Sequence, residues 1–308
     1  MKVEALLPLL EALGEQDYTF VAPTPATHAR VIARPDKRKA LNLRDIFGWS
    51  LPFDRSSLAA PLWELLAAAD AVEAAGELFK SRVRVSSIDN RLFLHSAYPT
   101  EQKDAVFFGP DTYRFVDFVR SELRHSDGVR RLVDIGTGSG AGAIMAAPLI
   151  PGARLTLLDI NPAALALAAV NARHAGVEVE TAEAGDVAAV QGPMDLIIAN
   201  PPYIIDASGR AYRDGGDMLG AKLSLDWTLS AASSLSPGGR MLLYTGSAIV
   251  DGRDQLREAL EEELPALGCS LSYRELDPDV FGEELEKPDY ARAERIAAVG
   301  AVVTVGRR

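Results

Sequence analysis

Asn200-Pro201-Pro202-Tyr203 closes a short apolar run, Asp195-Leu196-Ile197-Ile198-Ala199, and its residue types suit one task, gripping a planar nitrogen. The run reads as a buried strand. Two consecutive prolines stop it, because neither has an N–H and both fix φ. Asn200 is held extended by the proline that follows it. No helix follows to absorb the carbonyls at such a stop. Asn200 Oδ1 and the Pro201 carbonyl can therefore accept the two protons of an –NH2 group, while the Tyr203 ring offers a face for a planar group. An isolated Pro-Pro pair usually marks only a turn; a second stretch upstream changes that reading.

That stretch, Leu132-Val133-Asp134-Ile135-Gly136-Thr137-Gly138-Ser139-Gly140-Ala141-Gly142, reads as strand, tight turn and helix. Glycines there let the backbone approach a ligand and adopt φ > 0. The helix start offers free N–H groups to an anion. Asp159 ends the next strand, where a carboxylate can hold two ribose hydroxyls. Two cofactor classes use such a turn. Gly136-x-Gly138-x-x-Ala141 satisfies the loose dinucleotide fingerprint, with Asp159 near its expected offset. Asp134 separates the two, because an acid two residues before the first glycine faces a pyrophosphate unfavourably and suits the ammonium of S-adenosylmethionine. Gly138-x-Gly140 then lies under the methionine part, Asp159 on the ribose and Asp186 near the adenine amino group. The Asn-Pro-Pro-Tyr strand end decides for the methyl donor.

Bulk properties exclude other classes. The 308 residues carry a net charge of −11 and a pI near 5.0, which repels nucleic acid overall. The single cysteine, Cys269, excludes an internal disulfide and a thiolate-rich metal site. No apolar run approaches the roughly 18–20 residues that span a bilayer, and the amino end lacks a signal-peptide pattern. A cytoplasmic protein with no membrane partner is expected. His28, His95, His125 and His174 show no ligand spacing, and no metal is expected. Arg120, Arg124, Arg130 and Arg131 read as a charged helix face, and Asp214 and Asp217 as a solvated turn.

The elements that position these groups fall into two parts. Residues 1–100 read as helices over 2–13, 25–33, 43–47 and 59–75, followed by a hairpin around Ile88-Asp89-Asn90-Arg91. Helices followed by a hairpin resemble a winged-helix module, here expected to select the acceptor or to form a dimer. Residues 101–308 alternate strands and helices, which predicts a parallel sheet with crossover helices. Strands are expected at 130–135, 154–159, 177–181, 195–199, 240–245, 270–275 and 298–305, and helices at 140–149, 162–174, 221–235 and 252–264. The stretch 277–295 is too long for a hairpin turn and is expected to fold over the sheet edge as a lid.

The Asp-x-Gly-x-Gly-x-Gly turn followed by Asn-Pro-Pro-Tyr resembles class I S-adenosylmethionine-dependent methyltransferases that modify amide or exocyclic amino nitrogens. Residues 104–245 are most similar to the protein-(glutamine-N5) methyltransferases that act on peptide-chain release factors. Gly109-Pro110-Asp111-Thr112 looks like that family's Pro-x-Thr segment, which touches the cofactor. Arg213-Asp214-Gly215-Gly216-Asp217-Met218-Leu219-Gly220 resembles its acidic Gly-Gly stretch, and Leu235-Ser236-Pro237-Gly238-Gly239 the turn before its fifth strand. The first hundred residues do not resemble that family's five-helix substrate domain.

The resemblance implies an α/β fold, a Rossmann-like seven-stranded methyltransferase sheet with a smaller N-terminal helical, winged-helix-like domain. It implies N-methylation of a protein glutamine, with S-adenosyl-L-methionine as cofactor. The expected catalytic set is Asn200, Pro201, Pro202 and Tyr203. The expected cofactor set is Thr112, Asp134, Gly136, Thr137, Gly138, Gly140, Asp159, Ile160, Asp186, Val187 and Asn200. Asn-Pro-Pro-Tyr also occurs in adenine-N6 and guanine-N2 methyltransferases, so an RNA or DNA base, or a small molecule, stays open as acceptor. A winged-helix regulator that only senses the cofactor is the non-enzyme reading, against which the amide-gripping strand end speaks.

Overall fold

The computed structural model describes residues 1–100, 102–124, 128–205 and 213–307. The front part holds four short helices, Leu7–Gly14 (α1), Pro25–Ile32 (α2), Leu43–Phe47 (α3) and Ala60–Ala68 (α4). Local chemistry sets where they begin. Thr24 Oγ1 accepts the Thr27 N–H at 3.2 Å ahead of Pro25, and Asn42 Oδ1 accepts the Asp45 N–H at 3.0 Å. Two antiparallel hairpins follow, Val72–Ala75 with Leu78–Ser81 (β1, β2) and Val83–Ile88 with Arg91–Ser96 (β3, β4).

The first hairpin departs from the helix expected through Ala75. The helix stops at Ala68, Asp70 turns left-handed at φ 51°, and Gly76 at φ 66° opens a two-residue turn that pairs Ala75 with Leu78. Alanine-rich sequence accepts either conformation, and the Gly-x turn decides between them. The second hairpin falls where expected, but it does not project as a wing. All of β3 and most of β4 are buried, in one apolar core with α1, Phe108 and α7.

The remaining elements in chain order are Pro110–Leu123 (α5), Arg131–Ile135 (β5), Ala141–Ala146 (α6), Arg154–Asp159 (β6), Pro162–His174 (α7), Glu180–Glu183 (β7), Met194–Ala199 (β8), Lys222–Ser234 (α8), Leu235–Val250 (β9), Arg253–Asp254 (β10), Gln255–Glu263 (α9), Cys269–Asp277 (β11) and Arg295–Val305 (β12). The sheet runs β11-β12-β9-β8-β5-β6-β7, with the short β10 beside β9. The strands from β7 to β9 pair in parallel, and β12 inserts antiparallel between β9 and β11. This is the Rossmann-like α/β sheet expected, with seven strands on its main path. β8 is buried throughout apart from Asp195, as its unbroken apolar run requires of a central parallel strand. β7 runs over Glu180–Glu183, later than the strand expected from residue 177, and Val177 and Val179 before it pack against the core. Among the described residues no helix is long and apolar enough to cross a membrane.

Asn171, on α7 and fully buried, locks the front part to the sheet. Its Oδ1 accepts the Leu94 N–H at 2.8 Å, and its Nδ2 donates to the carbonyls of Leu94 at 3.0 Å and Ser139 at 2.9 Å. One side chain thus ties β4 to the glycine turn. Asn171→Leu leaves one N–H and two carbonyls without partners in an apolar setting. It should cost about 2–4 kcal/mol of unfolding free energy in urea titration. A loss below about 0.5 kcal/mol, the range of ordinary surface changes, would contradict this role.

Candidate active site

The carboxyl ends of β5, β6 and β8 open onto one cavity, at the point where strand order reverses on either side of β5. Open parallel sheets bind ligands at such a switch point. Thr112, Gly136, Thr137, Gly138, Asp159, Ile160 and all of Asn200–Tyr203 line it. Of the residues expected at the site, Asp134, Gly140, Asp186 and Val187 do not.

The glycine turn explains two of these exceptions. Gly136, Gly138 and Gly140 stand at φ 67°, 53° and 80°. A Cβ on Gly136 would reach within 2.7 Å of the Trp227 ring, whereas one on Gly138 would meet nothing within 4 Å. Gly138 therefore faces open space, while Gly140 packs toward Ile144 and Ala168. Asp134 turns away from the cavity, beneath the turn. Its Oδ2 accepts the Thr137 hydroxyl at 2.8 Å and the Ala143 N–H at 3.1 Å, so the side chain clamps turn to helix. The side chain that the sequence expected to meet the cofactor ammonium is thus engaged in this clamp and is not among the residues lining the cavity. Burial pushes its carboxyl up to about 7.

Asp159 sits at the end of β6 with Oδ1 accepting the Asn161 N–H and Oδ2 the Gly138 N–H, both at 2.9 Å. Burial raises its carboxyl too. Each oxygen keeps a second lone-pair direction for a ligand hydroxyl. Next to it, Ile160 is 57% exposed, an apolar side chain presented to the cavity across from Gly185. The adjoining lining residues are Ala184 and Gly185 instead of Asp186 and Val187. Asp186 Oδ1 is taken by the Ala188 N–H at 2.7 Å and the Ser230 hydroxyl at 2.5 Å, and Val187 is core. An apolar slot, a carboxylate with lone pairs left for ligand hydroxyls and a turn with room at Gly138 fit S-adenosylmethionine.

At the end of β8, the Asn200 side chain makes no hydrogen bond to a described residue, and the Pro201 carbonyl accepts none. Tyr203 is 6% exposed, with Gly246 of β9 against its ring and Phe281 meeting it edge-on at 5.8 Å between centroids. The Gly-Gly stretch has a steric reason as well. A Cβ on Gly215 would lie 2.7 Å from Tyr203 Cα, and one on Gly220 2.3 Å from the Tyr203 carbonyl oxygen.

The stretch 277–295 reaches this strand end. The Tyr290 hydroxyl accepts the Ile205 N–H at 2.9 Å and donates to the Leu219 carbonyl at 3.2 Å. Buried Glu284 pairs with Arg213, which lines the cavity with Phe281. Sequence reasoning did not single out Asp111, Phe115, Trp227 or Phe281 as lining residues. Only Asp111 carried a signal, as an acid in the first turn of a helix, where it also favours the helix itself.

Other expectations resolve simply. His28 bonds the Trp49 carbonyl at 3.0 Å, and His95 bonds Ser86 at 2.8 Å; burial lowers both imidazoles. His125 lies outside the described residues. Arg130 and Arg131 are not on the helix of Arg120, since their N–H groups both bond Asp195 where β5 begins. No group of three metal-ligating side chains occurs among the described residues.

Sheet order and glycine turn together make this chain a class I S-adenosylmethionine-dependent methyltransferase, an enzyme with that cofactor. The methyltransferase small domain family matches residues 117–262. The chain is 31% identical to a release factor glutamine methyltransferase of Moorella thermoacetica, over 80% of this chain and 95% of that one. It is 34% identical to one of Deinococcus radiodurans, over 60% of this chain and 66% of that one. To a ribosomal protein uL3 glutamine methyltransferase of Bradyrhizobium diazoefficiens it is 32% identical, over 58% and 57%. Among solved structures, M. jannaschii TYW2 in complex with AdoMet shares the fold, with a TM-score of 0.51, 13% identity and coverage of 76% and 90%. The chain belongs to the release factor glutamine methyltransferase family.

Two measurements probe the cofactor side. Asp159→Ala should weaken S-adenosylmethionine binding in calorimetry by about 1–3 kcal/mol, from charge-assisted hydrogen bonds left unmade; unchanged affinity would remove Asp159 from the site. For Asp134, the folded protein holds the proton more tightly than the unfolded chain, whose carboxyl titrates near the ordinary aspartate value of 3.8. Stability from this group is therefore full below that value and is lost as pH rises to about 7. Relative to Asp134→Asn, the cofactor-free protein should lose on the order of 4 kcal/mol across that window and then level off. A difference that does not vary with pH would contradict the buried clamp.

Proposed function

We propose that this methyltransferase acts on the side-chain amide nitrogen of a protein glutamine, with a peptide-chain release factor as the first acceptor to test. The observation that carries the reading is the pair of unengaged acceptors, Asn200 Oδ1 and the Pro201 carbonyl, held by a Pro-Pro strand end in the same cavity as Asp159. The names of the relatives, which act on release factors and a ribosomal protein, support a protein acceptor. A net charge of −11 weighs against a nucleic acid.

When bound, the cofactor supplies a methyl carbon on a cationic sulfur, open to in-line displacement by the acceptor nitrogen. An amide nitrogen is a poor nucleophile because its lone pair is delocalised into the carbonyl. Accepting its two hydrogens at Asn200 Oδ1 and the Pro201 oxygen favours the pyramidal, electron-rich nitrogen. Both interactions strengthen as positive charge builds there. The remaining open part of the Tyr203 ring fixes the amide plane. No strong base is required, because the nitrogen becomes far more acidic once it is cationic. Most of the rate then comes from positioning.

Purified release factor incubated with methyl-labelled cofactor should take up label in the protein fraction. Label confined to RNA or small molecules would overturn the reading. Asn200→Ala should lower kcat by about 10²-fold or more while raising KM less, the pattern of a lost transition-state partner. Cofactor affinity measured on the same protein controls for the second contact of Asn200. Near-normal transfer by the variant would remove Asn200 from the mechanism.

A further inference from the structure

The stretch 277–295 brings one side chain into the cavity, Phe281, and the backbone there is strained. Among the described residues, eight that are not glycine take a left-handed φ. Four are aspartates, whose short polar side chain tolerates that region, and one is Ser50. The three large apolar ones are Met218 at 57°, Leu219 at 55° and Phe281 at 55°. Met218 and Leu219 lead into Gly220 against the Tyr203 carbonyl, and Phe281 meets the Tyr203 ring. All three therefore stand around the end of β8, and of them only Phe281 lines the cavity. A bulky side chain held left-handed is costly and persists where its surroundings over-determine it, above all at functional sites.

Several ties hold Phe281 in place. The Val280 N–H donates to the Ile296 carbonyl at 2.7 Å, and the Phe281 carbonyl accepts the Glu284 N–H at 2.8 Å. Val280 and Tyr290 are buried in the core, and Glu284 is buried between Arg213 and Lys287. Upstream, Asp277 pairs with Arg114 of α5 at 2.9 Å. The stretch is thus a pinned wall, tied to the sheet, to α5 and to residues that follow the strand end. What it adds to the cavity is a partly buried phenyl ring with no polar group. The hydrogens of an acceptor amide are met at Asn200 Oδ1 and the Pro201 oxygen. A glutamine side chain still has two methylene groups to place, and these favour apolar surface.

We propose that Phe281 is an acceptor-binding residue, its ring receiving the methylene stem of the glutamine whose nitrogen lies on Asn200 and Pro201. This rests on the reading of that strand end as the acceptor site and assigns the apolar half of the same side chain. Phe281 touches no atom whose charge changes, so it holds the acceptor equally well before and during transfer. Its loss should therefore raise KM and leave kcat nearly unchanged.

The test is steady-state methyl transfer by Phe281→Leu, Phe281→Ala and Phe281→Asn, with acceptor varied at saturating S-adenosylmethionine and cofactor affinity measured by calorimetry. The acceptor is whichever fraction the wild-type enzyme labels, release factor being expected. Phe281→Ala and Phe281→Asn should raise the acceptor KM about tenfold, the scale of two methylenes left unburied, with little change in kcat or cofactor affinity. Phe281→Leu keeps an apolar wall and should stay close to wild type. Asparagine accepts a left-handed backbone, so that variant stays readable if the alanine variant folds poorly. An acceptor KM that is unchanged in Phe281→Asn, or raised no more than in Phe281→Leu, would overturn the proposal. So would a loss of cofactor affinity as large as the rise in KM. Label in RNA or small molecules in place of protein would overturn the glutamine reading. That outcome is read from the wild-type enzyme alone and is separate from the KM of the variants.

Discussion

Two adjacent prolines at the end of the central strand are the constraint on which the rest of the site depends. β8 cannot continue past Asn200, because Pro201 and Pro202 have no N–H to pair, and no helix follows at once to take up the exposed oxygens. Glycines pack against Tyr203 from three directions, at Gly215, Gly220 and Gly246, where any Cβ would collide with it. From the far side of the sequence, Tyr290 holds the Ile205 N–H and Glu284 holds Arg213. Much of the chain between β8 and β12 thus serves to keep a four-residue strand end still.

The cofactor side is built on the opposite principle. There the backbone has to give way, so glycines turn left-handed and buried carboxylates hold the turn. Asp134 ties Thr137 to Ala143, and Asp159 ties Gly138 to Asn161. Asn171 carries the same turn outward to β4 through the Ser139 carbonyl. The front part is therefore in mechanical contact with the cofactor turn, through a single fully buried side chain.

The positions of most strands, the glycine turn and the strand stop at Asn200 were legible in the sequence because each has a local cause; the spatial order of the strands was not, since it depends on pairing far along the chain. Continuous apolar runs mark buried parallel strands, and Asn161-Pro162 marks a helix start, which the structure places at Pro162. Less legible were the partners of the acids. Asp134 and Asp186 have the right type and spacing for ligand contacts; in the structure one clamps a helix and the other caps a turn, contacts that in part involve neighbours far along the chain such as Ser230. The hairpin at Ala75–Leu78 hid in an alanine-rich run that suits either helix or strand. Phe281 and Trp227 reach the cavity only through tertiary packing, which no spacing rule reports.

The chemistry of the methylated product tests the amide-gripping strand end most directly. Release factor labelled by the wild-type enzyme can be hydrolysed in strong base and the volatile fraction trapped in acid. N-methylation of a glutamine amide predicts labelled methylamine, released as the amide bond is cut. Label that stays non-volatile on a nucleoside base, or that leaves as methanol from an ester, would contradict it.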